Sequence, residues 1–237
     1  GAERLAYPPA PPVDHVDDYH GTKVRDPYRW LEEYTPQTEN WIEQQIALTS
    51  ASFEGIHQRG RIRQRLTQLW DYEKYGVPWQ KGGRYFWTRN DGLQNQSVLY
   101  TADSLRAEPR VLLDPNLLSK DGTIALAGTS VTDDGTLLAY ALSEAGSDWK
   151  TWRVRDVKTG QDLPDVVRWA KFSTAAWTRD GKGFYYSRFD APAAGEAYRS
   201  VNEYHKIYYH RLGTPQSEDP LVYERKDQPR WYLYGEV

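Results

Sequence analysis

The sequence predicts a mainly β protein behind a helical N-terminal segment, and three observations carry that reading. Apolar spacing changes after Tyr72 from steps of three and four to short β-like runs. Asp-Gly pairs recur among those runs at 91–92, 121–122, 134–135 and 180–181, supplying the positive φ values that tight hairpins need. A ten-residue stretch is also repeated. Val131-Thr132-Asp133-Asp134-Gly135-Thr136-Leu137-Leu138-Ala139-Tyr140 aligns with Trp177-Thr178-Arg179-Asp180-Gly181-Lys182-Gly183-Phe184-Tyr185-Tyr186.

The chain opens on Tyr7-Pro8-Pro9-Ala10-Pro11-Pro12, which must be extended because proline fixes φ and lacks an amide hydrogen. A terminal arm on the surface is expected there. Asp26-Pro27-Tyr28-Arg29-Trp30-Leu31 reads as an N-cap, a first-turn proline and a short aromatic helix, and Thr35-Pro36 repeats the start signal. Trp41, Ile42, Gln45, Leu48, Ser52 and Phe53 then share one helical face that can pack inward. Arg61 to Trp70 reads as a second amphipathic helix, whose arginines make a solvated face rather than an RNA platform.

Strands are expected over 84–88, 97–100, 110–113, 137–140, 151–154, 183–186 and 206–209. The repeat places about four strands in each unit, the pattern of propeller blades. After the repeated stretch, Trp152 and Tyr208 are the expected counterparts, with an insertion at 191–202 in the second unit. An incomplete first unit spans about 73–115, and a fourth is expected to begin near Trp231. So few blades cannot close a ring without exposing strand edges, and the chain starts with Gly and holds no Met. The sequence is therefore expected to be a piece of a longer protein, with a helical segment at 1–72 and opening blades at 73–237.

Composition excludes several functions. With 30 Lys+Arg and 33 Asp+Glu the formal charge is −3, which gives no general attraction to nucleic acid or anionic membranes. No apolar run approaches the roughly 18 residues of a membrane span. The absence of Cys removes disulfides, thiolate metal sites and cysteine nucleophiles. It suits an oxidising compartment without identifying one, so cytoplasm and periplasm both stay open for a soluble protein. The 10 Trp, 18 Tyr and 5 Phe can build a core, since each buries on the order of 150–250 Å².

A family resemblance runs along the chain. Asp18-Tyr19-His20-Gly21, followed by Val24-Arg25-Asp26-Pro27-Tyr28-Arg29-Trp30-Leu31-Glu32, resembles the N-terminal signature of the prolyl oligopeptidase family. Asp71-Tyr72-Glu73-Lys74-Tyr75, Gly92-Leu93-Gln94-Asn95-Gln96, Leu113-Asp114-Pro115-Asn116 and Ser119-Lys120-Asp121-Gly122-Thr123 continue the match. So do Gly146-Ser147-Asp148-Trp149, Leu163-Pro164-Asp165-Val166, Lys171-Phe172-Ser173 and Leu212-Gly213-Thr214, in the same order. The resemblance implies a partial seven-bladed β-propeller, with N-terminal helices that belong to an α/β-hydrolase peptidase domain. It implies a serine peptidase cleaving short peptides after proline, the propeller restricting access to small substrates.

Such a hydrolase needs a nucleophile elbow, G-x-S-x-G, and no such pentapeptide occurs between Gly1 and Val237. The resemblance therefore implies no catalytic residue in this chain, and an inactive piece when it is alone. His15, His20, His57, His205 and His210 have no catalytic partner. His205 and His210, five apart on a strand-like run, point to opposite faces and cannot share a metal. Asp14, Asp17 and Asp18 lack the glycine and terminal Glu of a calcium loop and read as surface carboxylates. Asn95-Gln96-Ser97 is formally a glycosylation acceptor, although its amides are expected to fix a blade turn.

By position, the resemblance assigns Phe172 to the subsite two residues before the cleaved proline and Tyr232 to the same pocket. Aromatic faces suit proline and apolar side chains. The bland alternative for Phe172 is a blade-core residue. Asp148 and Trp149 match a loop facing the peptidase domain. The expected partners are short proline-containing peptides and the remainder of the same polypeptide. No nucleic acid, membrane, cofactor or metal is expected, and the complete form is expected to be a monomer. The competing class is a non-catalytic propeller that binds peptides or proteins, which would have no use for the helical N-terminal signature.

Overall fold

The computed structural model describes residues 5–197 and 201–237. The chain divides into two compact units, one ending at Leu69 and the other running from Trp70 to Val237.

The first unit opens with a hairpin that the polar run at 16–25 does not announce. Strands β1 (Val16–Tyr19) and β2 (Thr22–Arg25) pair antiparallel. Their two-residue turn places His20 at φ 57° and Gly21 at φ 92°, the mirror-image turn that matches strand twist. Asp18 Oδ1 accepts the Gly21 N–H at 2.6 Å. The proline-rich arm is pinned where Trp30 Nε1 donates to Pro11 O at 2.9 Å.

Asp26 does not cap a helix as expected. Its carboxylate accepts from the Tyr28 N–H at 3.2 Å, and the following 3-10 turn, Arg29–Glu32, starts at Tyr28 without a side-chain cap. Arg29 instead collects Asp17, Asp26 and Glu32, so the carboxylate it would leave for capping is held by a guanidinium. Helix α1 (Pro36–Glu54) does start as read, with Thr35 accepting the Thr38 N–H and Pro36 in the first turn. Helix α2 spans Arg59–Trp70. The expected inward face of α1 is only partly covered within this unit. Trp41, Gln45 and Leu48 are half-buried, while Ile42, Ser52 and Phe53 are exposed.

The second unit is built of antiparallel blades. The first comprises β4 (Trp79–Lys81), β5 (Arg84–Asn90), β6 (Val98–Ala102) and β7 (Arg110–Leu113), with the short β3 (Lys74–Tyr75) also paired to β5. The second comprises β8 (Ile124–Val131), β9 (Leu137–Glu144), β10 (Lys150–Asp156) and β11 (Asp162–Ala170). The third comprises β12 (Ala176–Trp177), β13 (Gly183–Arg188), β14 (Lys206–Arg211) and β15 (Leu221–Glu224). Blades two and three meet edge to edge through one residue pair, Ala170 with Arg188. The expected fourth start is absent as a strand, because residues 231–237 adopt no regular structure.

The repeated stretch forms the turn between the first two strands of blades two and three, with the same bonds each time. Thr132 Oγ1 donates to Asp134 Oδ1 at 2.6 Å, and Thr178 Oγ1 to Asp180 Oδ1 at 2.7 Å. The glycine after each Asp has φ 73° or 66°, a region where only glycine is free of Cβ strain. The Asp121-Gly122 pair differs from expectation: it precedes β8 and joins no hairpin. Gln96 does fix blade packing, donating to Ile124 O at 2.6 Å and accepting from Leu126 N–H at 3.0 Å.

Strand alternation on β9 serves two cores. Leu138 and Tyr140 pack with Phe86, Leu99 and Leu113 of blade one. Ala139 and Ala141 pack with Trp152, Trp177 and Phe184 toward blade three. This is the period-two logic of a strand buried on both faces.

Pairing registers align Arg155 with His210, since Arg155 lies opposite Leu138 and His210 opposite its counterpart Phe184. They also align Trp152 with Ile207, one residue from the expected Tyr208. Blades two and three then each carry a tyrosine–aspartate–cation knot. In blade two Tyr140 and Arg155 both bind Asp162, and Arg155 Nη1 reaches back to Leu112 O of blade one at 2.8 Å. In blade three Tyr186 and His210 both bind Asp219, and His210 Nε2 reaches back to Asp165 of blade two at 2.9 Å.

Candidate functional site

The repeated turns lie at one end of the blades, and the irregular connections lie at the other. There the loop before β10, the loop after β11, the described residues between β13 and β14 and the strandless residues 231–237 come together. They carry a cluster of aromatic rings.

Phe172 and Tyr232, sixty positions apart in sequence, meet with ring centroids 4.9 Å apart. Tyr232 also makes edge contacts with Phe189 at 6.5 Å and His205 at 5.7 Å. Trp149 extends the cluster, edge-on to Phe189 at 6.3 Å and to Trp169 at 5.5 Å. Edge-to-face arrangements of this kind contribute about 0.5–1.5 kcal/mol per pair beyond burial.

Phe172 sits in the loop after β11, half-buried, so it is not a blade-core strand residue. Its φ is 48°, and that of Trp169 is 62°. Bulky side chains rarely occupy this region, and residues held there cluster where the surroundings over-determine them. Tyr232 is 51% exposed. The pair therefore presents aromatic surface to solvent from a rigid support.

Lys171 is buried beneath these rings. Its ammonium lies 4.6 Å from the Trp149 centroid and 5.8 Å from that of Phe172, and donates to Asn202 Oδ1 at 3.2 Å. The cation–π contacts fix the orientation of both rings. Trp149 is further fixed by its indole N–H, which donates to Ala197 O at 2.6 Å. Asp148 is exposed on the adjoining bend, and no ion pair involves it among the described residues.

His205 is 2% exposed. Its Nε2 lies 2.9 Å from Lys171 O, and its Nδ1 accepts the Leu233 N–H at 2.9 Å. These bonds require a neutral ring protonated at Nε2. Burial lowers the pKa of this ring and outweighs the bond to Lys171 O, which favours the charged form. His205 and His210 sit in separate networks, and no group of three or more metal-ligating side chains occurs among the described residues.

The arrangement offers exposed apolar and aromatic surface above a buried lysine and a buried histidine. Of the residues named from sequence, Phe172, Tyr232 and Trp149 join one cluster, and Asp148 stays outside it. Trp169, Lys171, Phe189, Asn202 and His205 were not anticipated. Their only sequence signal is proximity to Phe172 or to the insertion, since the loops that gather them are long.

The family described as "Prolyl oligopeptidase, N-terminal beta-propeller domain" matches residues 8–237. The prolyl endopeptidase of Elizabethkingia miricola is 41% identical over 98% of this chain, which covers 33% of that protein. The dual function macrocyclase-peptidase of Galerina marginata is 34% identical over 97% of this chain, which covers 35% of it. Among solved structures, prolyl oligopeptidase B from Galerina marginata bound to a 25mer macrocyclization substrate superposes with a TM-score of 0.87. It is 32% identical, and the match covers 98% of this chain and 35% of that one. The chain thus spans about a third of the length of the relatives it matches. No helix among the described residues is long and apolar enough to cross a membrane. With the family match spanning both the N-terminal unit and the blades, the chain belongs to the prolyl oligopeptidase family.

Proposed function

We propose that this chain is the N-terminal and propeller part of a serine-type prolyl oligopeptidase that cleaves short peptides after proline. Its blades limit access to small substrates, and Phe172 and Tyr232 contact the residue two positions before the proline. Residues 1–72 and 73–237 act as the two functional segments of this part, the first associated with the peptidase domain. Asp148 and Trp149 face that domain, Asp148 as an exposed carboxylate. The complete protein works as a monomer without cofactor or metal.

The observation that carries this reading is the Phe172–Tyr232 contact, made by two loops that share no strand and project aromatic surface outward. A purely structural pair would be buried in a blade core, as Phe184 and Trp177 are. The test uses the full-length polypeptide that contains this chain. Phe172→Ala removes one aromatic wall, and partial contact at about 25 cal/mol per Å² puts the loss on the order of 1–2 kcal/mol. That is roughly a five- to thirtyfold fall in kcat/KM for peptides with a bulky apolar residue two positions before proline. Minimal Gly-Pro reporters should be nearly unaffected. Equal losses on both substrates, accompanied by a lowered melting temperature, would mark Phe172 as structural.

A further inference from the structure

We propose that His205 is a positioning residue that sets the spacing of Phe172 and Tyr232, and with it the preference for an apolar residue two positions before the proline. The inference rests on the reading of that pair as substrate contacts, and it assigns a role to a histidine outside the contact surface.

The geometry is specific to those two residues. His205 Nε2 bonds the carbonyl of Lys171, the residue immediately before Phe172, and Nδ1 bonds the amide of Leu233, immediately after Tyr232. One ring thus joins the two loops at the peptide units that aim the aromatic side chains. The ring is clamped in turn, stacked on Phe189 with centroids 4.6 Å apart and touched edge-on by Tyr232. Ser187 backs the same arrangement: its hydroxyl donates to Leu233 O at 2.6 Å, and its N–H donates to Ser173 Oγ at 2.9 Å. A core histidine satisfied by chance would not place both bonds beside the two exposed aromatics.

The link works only with a neutral ring. A protonated Nδ1 would set an N–H against the Leu233 N–H and release the Tyr232 loop. The titratable side chains on the elements packed against the ring are Lys171, tied to Asn202 and Trp149, and Tyr232 itself. Along the chain, Lys206 pairs with Asp190 and Glu203 lies near Arg230. Among the described residues no carboxylate bonds the ring to hold a charge on it. Pocket selectivity is therefore constant near neutrality and declines on the acid side, below the ordinary histidine range.

The experiment measures, in the full-length polypeptide, the ratio of kcat/KM for a peptide with a bulky apolar residue two before proline to that for a Gly-Pro reporter. Ionisations of the catalytic centre act on both substrates and cancel in the ratio. His205→Ala should lower the ratio about five- to tenfold at neutral pH, mainly through KM, with reporter turnover changed less than about twofold. His205→Asn keeps an acceptor at the Nδ1 position, and His205→Gln keeps a donor at the Nε2 position. Each should restore part of the ratio, and both should abolish its acid-side decline. If Phe172→Ala and Tyr232→Ala lower the ratio while all three His205 variants, folded by melting temperature, keep the wild-type ratio and its pH profile, the positioning role is overturned. If Phe172→Ala and Tyr232→Ala leave the ratio unchanged, the pocket reading itself fails and takes this inference with it.

Discussion

Replacing His210 with Ala is expected to produce a large and pH-dependent loss of stability. The ring is completely buried, and each nitrogen lies 2.9 Å from a carboxylate oxygen, of Asp165 on one side and Asp219 on the other. Carboxylates only accept, so both nitrogens must carry hydrogen and the ring is an imidazolium. Burial opposes that charge, yet the bonds to Asp219 and Asp165 outweigh it and raise the pKa above the usual histidine value. Alanine would leave two carboxylates facing a void, with Asp165 keeping the Gly213 N–H and Asp219 the Tyr186 hydroxyl. Breaking a buried ion pair typically costs about 3–5 kcal/mol. For a unit of this size that amounts to a melting-temperature drop of roughly 6–20 °C. Because the folded pKa exceeds the unfolded one, the stabilisation is complete below about pH 6.5 and is lost as pH rises through the folded value. Calorimetric scans of wild type and variant between pH 6 and 9.5 should therefore show the difference shrinking toward alkaline pH. A variant melting within about 2 °C of wild type at pH 6, with an unchanged pH profile, would refute the imidazolium clamp.

Two further outcomes probe the blade turns. Gly82→Ala should destabilise the second unit by about 2–4 kcal/mol, because Gly82 has φ 55° and a Cβ there would strike the backbone carbonyl of Asp134 in the next blade's turn; chemical denaturation measures it, and a change under about 0.5 kcal/mol would contradict the contact. Thr132→Val should cost about 1–2 kcal/mol at neutral pH, since the buried hydroxyl donates to Asp134 and accepts the Leu137 N–H. The Thr132 bond is the main cause holding the Asp134 carboxyl below its ordinary value, so this stabilisation is present above about pH 3.8 and falls as Asp134 protonates. Denaturation at pH 7 and pH 2.5 separates the two conditions, and an equal loss at both would argue against the bond.

What the sequence revealed and what it hid divide along contact range. The Thr-x-Asp-Gly turns were legible because their bonds close within six residues, and the two copies reinforce each other. His205 lies just before β14 rather than on it, and it and His210 enter separate hydrogen-bond networks. Strand β11 was not legible, because Pro164 interrupts it. The structure tolerates that proline at the register shift between Arg153 and Arg155 opposite, on a strand otherwise bonded along one side. Hairpin β1–β2 was hidden by its exposure, since a strand pair covered on neither face has no alternation to show. The meeting of Phe172 with Tyr232 came from family position, and nothing local in either stretch encodes it. The left-handed backbone at Trp169 and Phe172 is equally invisible, because aromatic side chains do not favour it.

The two ends of the blades carry different kinds of information. At the end with the repeated turns, blades two and three use the same threonine–aspartate turn and the same tyrosine–aspartate knot, with Arg155 and His210 occupying equivalent positions and each stitching back to the preceding blade. A substitution there changes how blades adhere, and its counterpart in the next blade should behave alike. At the other end the connections have unequal lengths and no repeat, and they gather the lysine, the neutral histidine and the strained aromatics into one cluster. Loops on a rigid support are where binding residues concentrate, and here the support is the regular end itself. His205 stands at that junction, one residue before β14, so the strand that carries the His210 clamp also carries the ring that aims Phe172 and Tyr232. A shift of β14 along its pairing with β13 would therefore reach the Phe172–Tyr232 pair directly, through the His205 bonds to Lys171 and Leu233.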